Sequence, residues 1–83
     1  MVTFTKHAKQ RLSQRYRLRG EHIKKVEYMF NYKYRVLDST DMKQIREIVY
    51  HNKVVQGIIK NGVIVTIIPP NHEQNEFHRN LEL

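Results

Sequence analysis

Cysteine is absent from these 83 residues, so disulfides and thiolate metal sites are excluded and an intracellular setting is permitted. No apolar run approaches the roughly 20 residues that a membrane span needs, and no secretory core stands at the N-terminus. The expectation is a soluble, cytoplasmic protein with no membrane partner. Acidic residues are scarce: 8 Asp and Glu face 15 Lys and Arg, for a net charge of +7. That excess implies attraction to a polyanion or an acidic partner, and RNA, DNA and an acidic inhibitor protein all qualify. No glycine-rich phosphate loop, nucleophile elbow or paired-carboxylate motif occurs. His22, His72 and His78 lack metal-ligand spacing. The chain therefore calls for no metal and no cofactor. Neither repeats nor low-complexity linkers interrupt it, and its length supports one small domain with a modest core.

What the sequence does have is a basic opening. In VTFTKHAKQRLSQRYRLRG, Thr5 suits a helix N-cap, its hydroxyl accepting from a free N–H of the first turn. At about 100° per residue, with Ala8 at zero, Leu12 and Tyr16 fall at roughly 40° and 80° and form one core-facing stripe. On that scale His7, Arg11 and Arg15 fall at roughly −100°, −60° and −20°, a ridge leading into the edge of the stripe. Arg15 should sit at the core boundary. Such a row matches a phosphate, since a helix N-terminus favours anions and guanidinium forks fit phosphate oxygens. A solvated basic face is the other meaning of a charged stripe. Gly20 is a natural end for this helix.

Downstream, Ile23, Val26 and Phe30, with Met29 alongside, predict a second amphipathic helix over Glu21 to Phe30. The period then changes. YKYRVLD, from Tyr32 to Asp38, reads as a strand closed by the turn-prone Asp38, Ser39, Thr40 and Asp41. In KQIREIVYH, Ile45, Glu47 and Val49 alternate with Arg46, Ile48 and Tyr50, and alternation alone does not say which set faces the core. Asn61-Gly62, between KVVQGIIK and VIVTII, predicts an antiparallel hairpin with a type I′ turn. Both strands are apolar enough to be central and covered by the helices on at least one face. Pro69-Pro70 ends the last one. The expected fold is α+β: two N-terminal helices on a four-stranded antiparallel sheet, spanning residues 1–70.

The run Phe4, Thr5, His7, Ala8, Arg11 and Arg15, followed by a helix, a meander and a terminal VIVTII, resembles the DUF4258 family over roughly residues 3–68. That family is grouped with small toxin nucleases of the barnase, EndoU, colicin and RelE type. Its members often carry Gly directly after the second Arg, whereas here Tyr16-Arg17-Leu18-Arg19 precede Gly20. The resemblance implies a RelE-like fold and metal-independent RNA cleavage, or RNA binding, where the first helix meets the sheet. It points to His7, Arg11 and Thr66.

Chemically, cleavage through a 2′,3′-cyclic phosphate needs a base for the 2′-hydroxyl, an acid for the leaving oxygen and cations around the phosphorane. Histidine titrates near neutrality, which suits His7 to either proton transfer. Arg11 and Arg15 would brace the phosphoryl oxygens, and the Thr66 hydroxyl would orient a phosphate or the attacking group, although threonine is also simply a good strand residue. His51, after Tyr50 at a strand end, is a candidate partner for His7, although a polar residue beside Asn52 in a hairpin loop is unremarkable. Lys6, Arg19 and Tyr50 complete the nucleic-acid contacts, Tyr50 by stacking on a base, although strand tyrosines are usually packing residues.

Residues 71–83, NHEQNEFHRNLEL, form a polar tail in which Phe77 and Leu81 stand one helical turn apart. Its Glu73, Glu76 and Glu82 contrast with the basic opening, so it suits docking on the domain or on another subunit as well as a plain flexible terminus. Three functions stay open: a toxin-type ribonuclease, a non-catalytic nucleic-acid binder, and an inhibitor or regulator docking on an acidic protein such as an antitoxin.

Overall fold

A computed structural model describes residues 1–69; the tail expectations for Phe77, Leu81 and the three glutamates, with His72 and His78, lie outside the described residues. Seven elements follow in order: β1 (Thr3–Phe4), α1 (Lys6–Tyr16), α2 (Glu21–Tyr32), β2 (Arg35–Ser39), β3 (Gln44–Tyr50), β4 (Lys53–Lys60) and β5 (Val63–Ile68). The class is α+β as expected, but the sheet has five strands in the order β1-β5-β4-β3-β2. It is mixed rather than wholly antiparallel, because β1 pairs in parallel with β5 through Thr3–Val63 and Phe4–Ile64. Two residues carry no readable periodicity. What holds β1 is tertiary: Asn31 of α2 accepts from the Val2 N–H at 2.7 Å and donates to the Val2 carbonyl at 2.9 Å, and Glu27 accepts from the Phe4 N–H.

Helix α1 starts as its sequence dictates, with the Thr5 hydroxyl accepting from the Ala8 N–H at 3.1 Å. It buries Ala8, Leu12 and Tyr16 and no other residue. It stops earlier than Gly20, at Arg17, which takes a left-handed conformation with φ 56° and donates to the Leu12 and Ser13 carbonyls. The reason is Leu18. A continued helix would place Leu18 at roughly −80°, among the cations of the ridge, whereas the turn at Arg17 lets it bury to 7 % exposure. Gly20 instead precedes α2, at φ 52°. Helix α2 runs two residues past Phe30, so Tyr32 ends a helix rather than opening a strand, and its ring packs on Tyr28.

Register assigns the two faces of the sheet. A Cβ on Gly57 would stand 3.1 Å from Phe30 Cε1, so Gly57 and its neighbours across the ladder, Arg46 and Ile67, lie on the helix-covered face. The β3 alternation is thereby resolved: Arg46, Ile48 and Tyr50 face the helices. Arg46 survives there by donating to the Phe30 carbonyl at 2.8 Å and lying 4.1 Å over the Tyr34 ring. In β5 the register shifts at Val65, which has no partner on β4. That extra residue breaks strict alternation, so Ile64 and Ile67 are both fully buried although they stand three apart. The core joins these residues to Val55, Ile59, Leu12, Val26 and Phe30, with Phe4 edge-on to Phe30 at 5.9 Å. Asn61 and Gly62 take φ 51° and 77°, the positive pair that a type I′ hairpin requires.

Candidate nucleic-acid interface

Helix α1 runs beside the β5 edge. At one end the Thr5 N–H donates to the Ile64 carbonyl. At the other, Arg15 NH1 donates to the Ile67 carbonyl at 2.7 Å and the Tyr16 hydroxyl to the Ile68 carbonyl at 3.4 Å. Beyond Ile64 the outer edge of β5, opposite the edge that pairs with β4, has no strand beside it, and α1 side chains satisfy carbonyls there. Arg15 is half-buried, at the core boundary where its angle placed it. One of its donors is thus committed to the fold. Tyr16 is buried beside it, and that burial raises the phenol above its ordinary value, against a smaller lowering by the Arg15 charge.

Farther along the ridge, Arg11 Nε donates to His7 Nε2 at 3.3 Å, while Arg11 NH1 donates to Gln14 at 3.3 Å. A guanidinium only donates, so Nε2 of His7 presents its lone pair and the neutral ring carries its proton on Nδ1. His7, Lys6 and Lys9 are exposed, and Arg11 is half-buried. No carboxylate occurs among residues 1–20, where six Lys or Arg are found. The cations hydrogen-bond to neutral acceptors: Arg11 to His7 and Gln14, Arg15 to Ile67, and Lys53 to the Tyr16 carbonyl.

Thr66 lies on the strand that Arg15 touches. It pairs with Ile58 in register, which puts its side chain on the sheet face away from the helices, beside Ile58 and on the far side of it from Ile45. It is no part of the α1 ridge. The fold also fails to join His7 to His51. His7 follows Thr5, at the end of the sheet where Ile64 pairs with Ile59, whereas His51 lies in the turn before Lys53. The six residue steps along β4 from Lys53 to Ile59 span roughly 20 Å. One phosphate cannot touch both imidazoles.

His51 instead meets a residue of α2. His22, in the first turn of α2, shares a 2.6 Å hydrogen bond between Nδ1 and the Tyr50 hydroxyl. The His51 ring stands edge-on to Tyr50 at 4.3 Å and lies 6.3 Å from His22, centroid to centroid. Both histidines are exposed, while the Tyr50 ring is buried. The Tyr50 ring is packed in the core, and its hydroxyl is the part that meets His22. His22 carried no local signal, because its partners lie 28 residues and more downstream. Arg19 reaches this end of the molecule through its backbone, its carbonyl accepting from the His22 N–H at 3.1 Å. Among the described residues no group of three or more His, Cys, Asp and Glu could hold a metal ion, and no helix is long and apolar enough to cross a membrane. Compared with known proteins, the chain matches no family model, no curated protein and no solved structure.

Proposed function

We propose that this chain is an RNA-binding protein of the small toxin-nuclease type, with a RelE-like arrangement of two helices on a sheet, and that the α1 ridge holds the phosphates. The observation that carries this reading is the pair Arg11 and His7. They are joined on an exposed helix face with no carboxylate among the first 20 residues. A single-stranded backbone laid along α1 would meet Lys6 and His7 first, then Arg11, then Arg15, and leave the helix toward Arg17 and Arg19. Arg11 keeps three of its five guanidinium N–H groups free of the two bonds described, enough for a bidentate phosphate contact. Arg15 offers the rest of a fork whose NH1 is anchored at the strand edge, which fixes its position before any ligand arrives.

His7 by itself brings one proton-transfer group to this ridge, so the ridge is a binding surface first. An acidic antitoxin-type protein would compete for the same cations. Binding of a mixed-sequence single-stranded RNA, followed by fluorescence anisotropy, tests the reading: Arg11→Ala should weaken it and flatten its salt dependence.

A further inference from the structure

Two histidines, a tyrosine and a strained turn meet at the opposite end of the sheet from His7. We propose that His22 and His51 form an acid–base pair for phosphodiester cleavage, with Tyr50 positioning His22. The inference rests on the reading that the chain binds RNA.

Three independent observations converge there. The first is the 2.6 Å bond between His22 Nδ1 and the buried-ring Tyr50, which fixes the imidazole and leaves Nε2 directed away from its anchor. A base held by a third group through its other nitrogen is the arrangement that proton-abstracting histidines need. The second is the separation of the two rings, 6.3 Å between centroids, which places both within reach of one phosphoryl group. The third is backbone. His51 and Asn52 take φ 48° and 66°, the same left-handed pair that Asn61 and Gly62 supply in the next hairpin of the same sheet. One hairpin uses the Asn-Gly pair that this turn favours, whereas the other puts a histidine at its first position, where a side chain is strained. Strain of this kind points to a use for the side chain.

The cationic surroundings suit an anion. Lys53, whose Nζ donates to the Tyr16 carbonyl, flanks the turn, and Arg17 and Arg19 lie on the segment joining α1 to α2. Glu21 is the neighbouring carboxylate, exposed at the start of α2. An RNA strand leaving the α1 ridge past Arg17 and Arg19 arrives at this cluster.

The step balances without a co-reactant. With its Nδ1 proton donated to the Tyr50 oxygen, neutral His22 accepts the 2′-hydroxyl proton on Nε2. The 2′-oxygen forms a bond to phosphorus as the bond from phosphorus to the 5′-oxygen breaks, and protonated His51 delivers its proton to that leaving oxygen. The products are a 2′,3′-cyclic phosphate and a 5′-hydroxyl. Proton exchange with water resets the two rings.

The test uses the full chain, a mixed-sequence RNA oligomer pool and the matching DNA pool. Wild type should cut the RNA to 2′,3′-cyclic phosphate and 5′-hydroxyl ends and leave the DNA intact. His22→Gln and His51→Asn should each lower the cleavage rate at saturating RNA at least about 100-fold while still binding the pool; Asn suits the left-handed turn, so the second variant retains the fold. Tyr50→Phe should slow cleavage at saturating RNA and also change the His22 ring 15N shifts toward a mixed tautomer, a signature that simple loss of packing would not give. RNA that is bound but left intact, or unchanged rates in both histidine variants, overturns this inference and leaves RNA binding standing. An RNA pool that does not bind at all overturns both.

Discussion

Arg15 and Ile67 stand 52 residues apart in the chain, yet the guanidinium NH1 donates to the strand carbonyl at 2.7 Å. The contact ties the basic ridge of α1 to the unpaired edge of β5. It makes one residue serve the fold and the surface charge together. Loss of a charge-assisted bond to a part-buried carbonyl costs about 1.5–2 kcal/mol. Arg15→Ala should therefore lower unfolding stability by about that amount in urea titration, with the slope unchanged, whereas Arg11→Ala on the same ridge should cost less than about 0.5 kcal/mol.

Gly57 is a matter of space. Its hypothetical Cβ would stand 3.1 and 3.2 Å from Phe30 ring atoms and 3.2 Å from Ile64 Cγ2, between two fully buried side chains. Gly57→Ala should destabilise by about 1–3 kcal/mol. Adding Phe30→Leu should recover part of that loss in a double-mutant cycle, because it removes the ring the methyl group meets.

Tyr16 gives the fold an alkaline limit. Burial raises its phenol above the ordinary 10.0, so the folded state holds the proton more tightly than the unfolded state. Stability from this group is complete below about pH 10 and falls as pH rises through the raised folded value. Tyr16→Phe should remove that alkaline decline in denaturation curves. It should cost little at pH 7, since the hydroxyl bond to Ile68 is long, at 3.4 Å.

The two hairpins make a comparison within one sheet. Replacing His51-Asn52 with Asn-Gly copies the turn already present at Asn61-Gly62 and relieves left-handed strain. Thermal unfolding should shift upward, by about 0.5–1 kcal/mol in stability.

These contacts also show what was legible in the linear sequence. Helix α1 was readable almost atom by atom, because a cap residue and a 3.6-residue period are local: Thr5, the buried stripe of Ala8, Leu12 and Tyr16, and the boundary position of Arg15 all follow from them. The Asn61-Gly62 turn was readable for the same reason. The end of α1 was not, since Arg17 adopts a conformation that glycine favours so that Leu18 can bury. The parallel β1 strand was not, since its partners lie 60 residues away. The bulge at Val65 hid which residues of β5 face the core. The candidate site divides likewise: the His7, Arg11 and Arg15 ridge is local and visible, whereas His22 joins Tyr50 and His51 only through the packing of α2 on β3.

The α1 ridge is proposed to bind a nucleic-acid backbone. Anisotropy titrations of a single-stranded RNA at several salt concentrations measure this directly for wild type and Arg11→Ala. Binding should weaken steeply with salt, and the variant's slope of log K against log salt should be shallower by about 0.7, one phosphate contact on a single strand. Absence of RNA binding at low salt, or a slope identical in the two proteins, would contradict it.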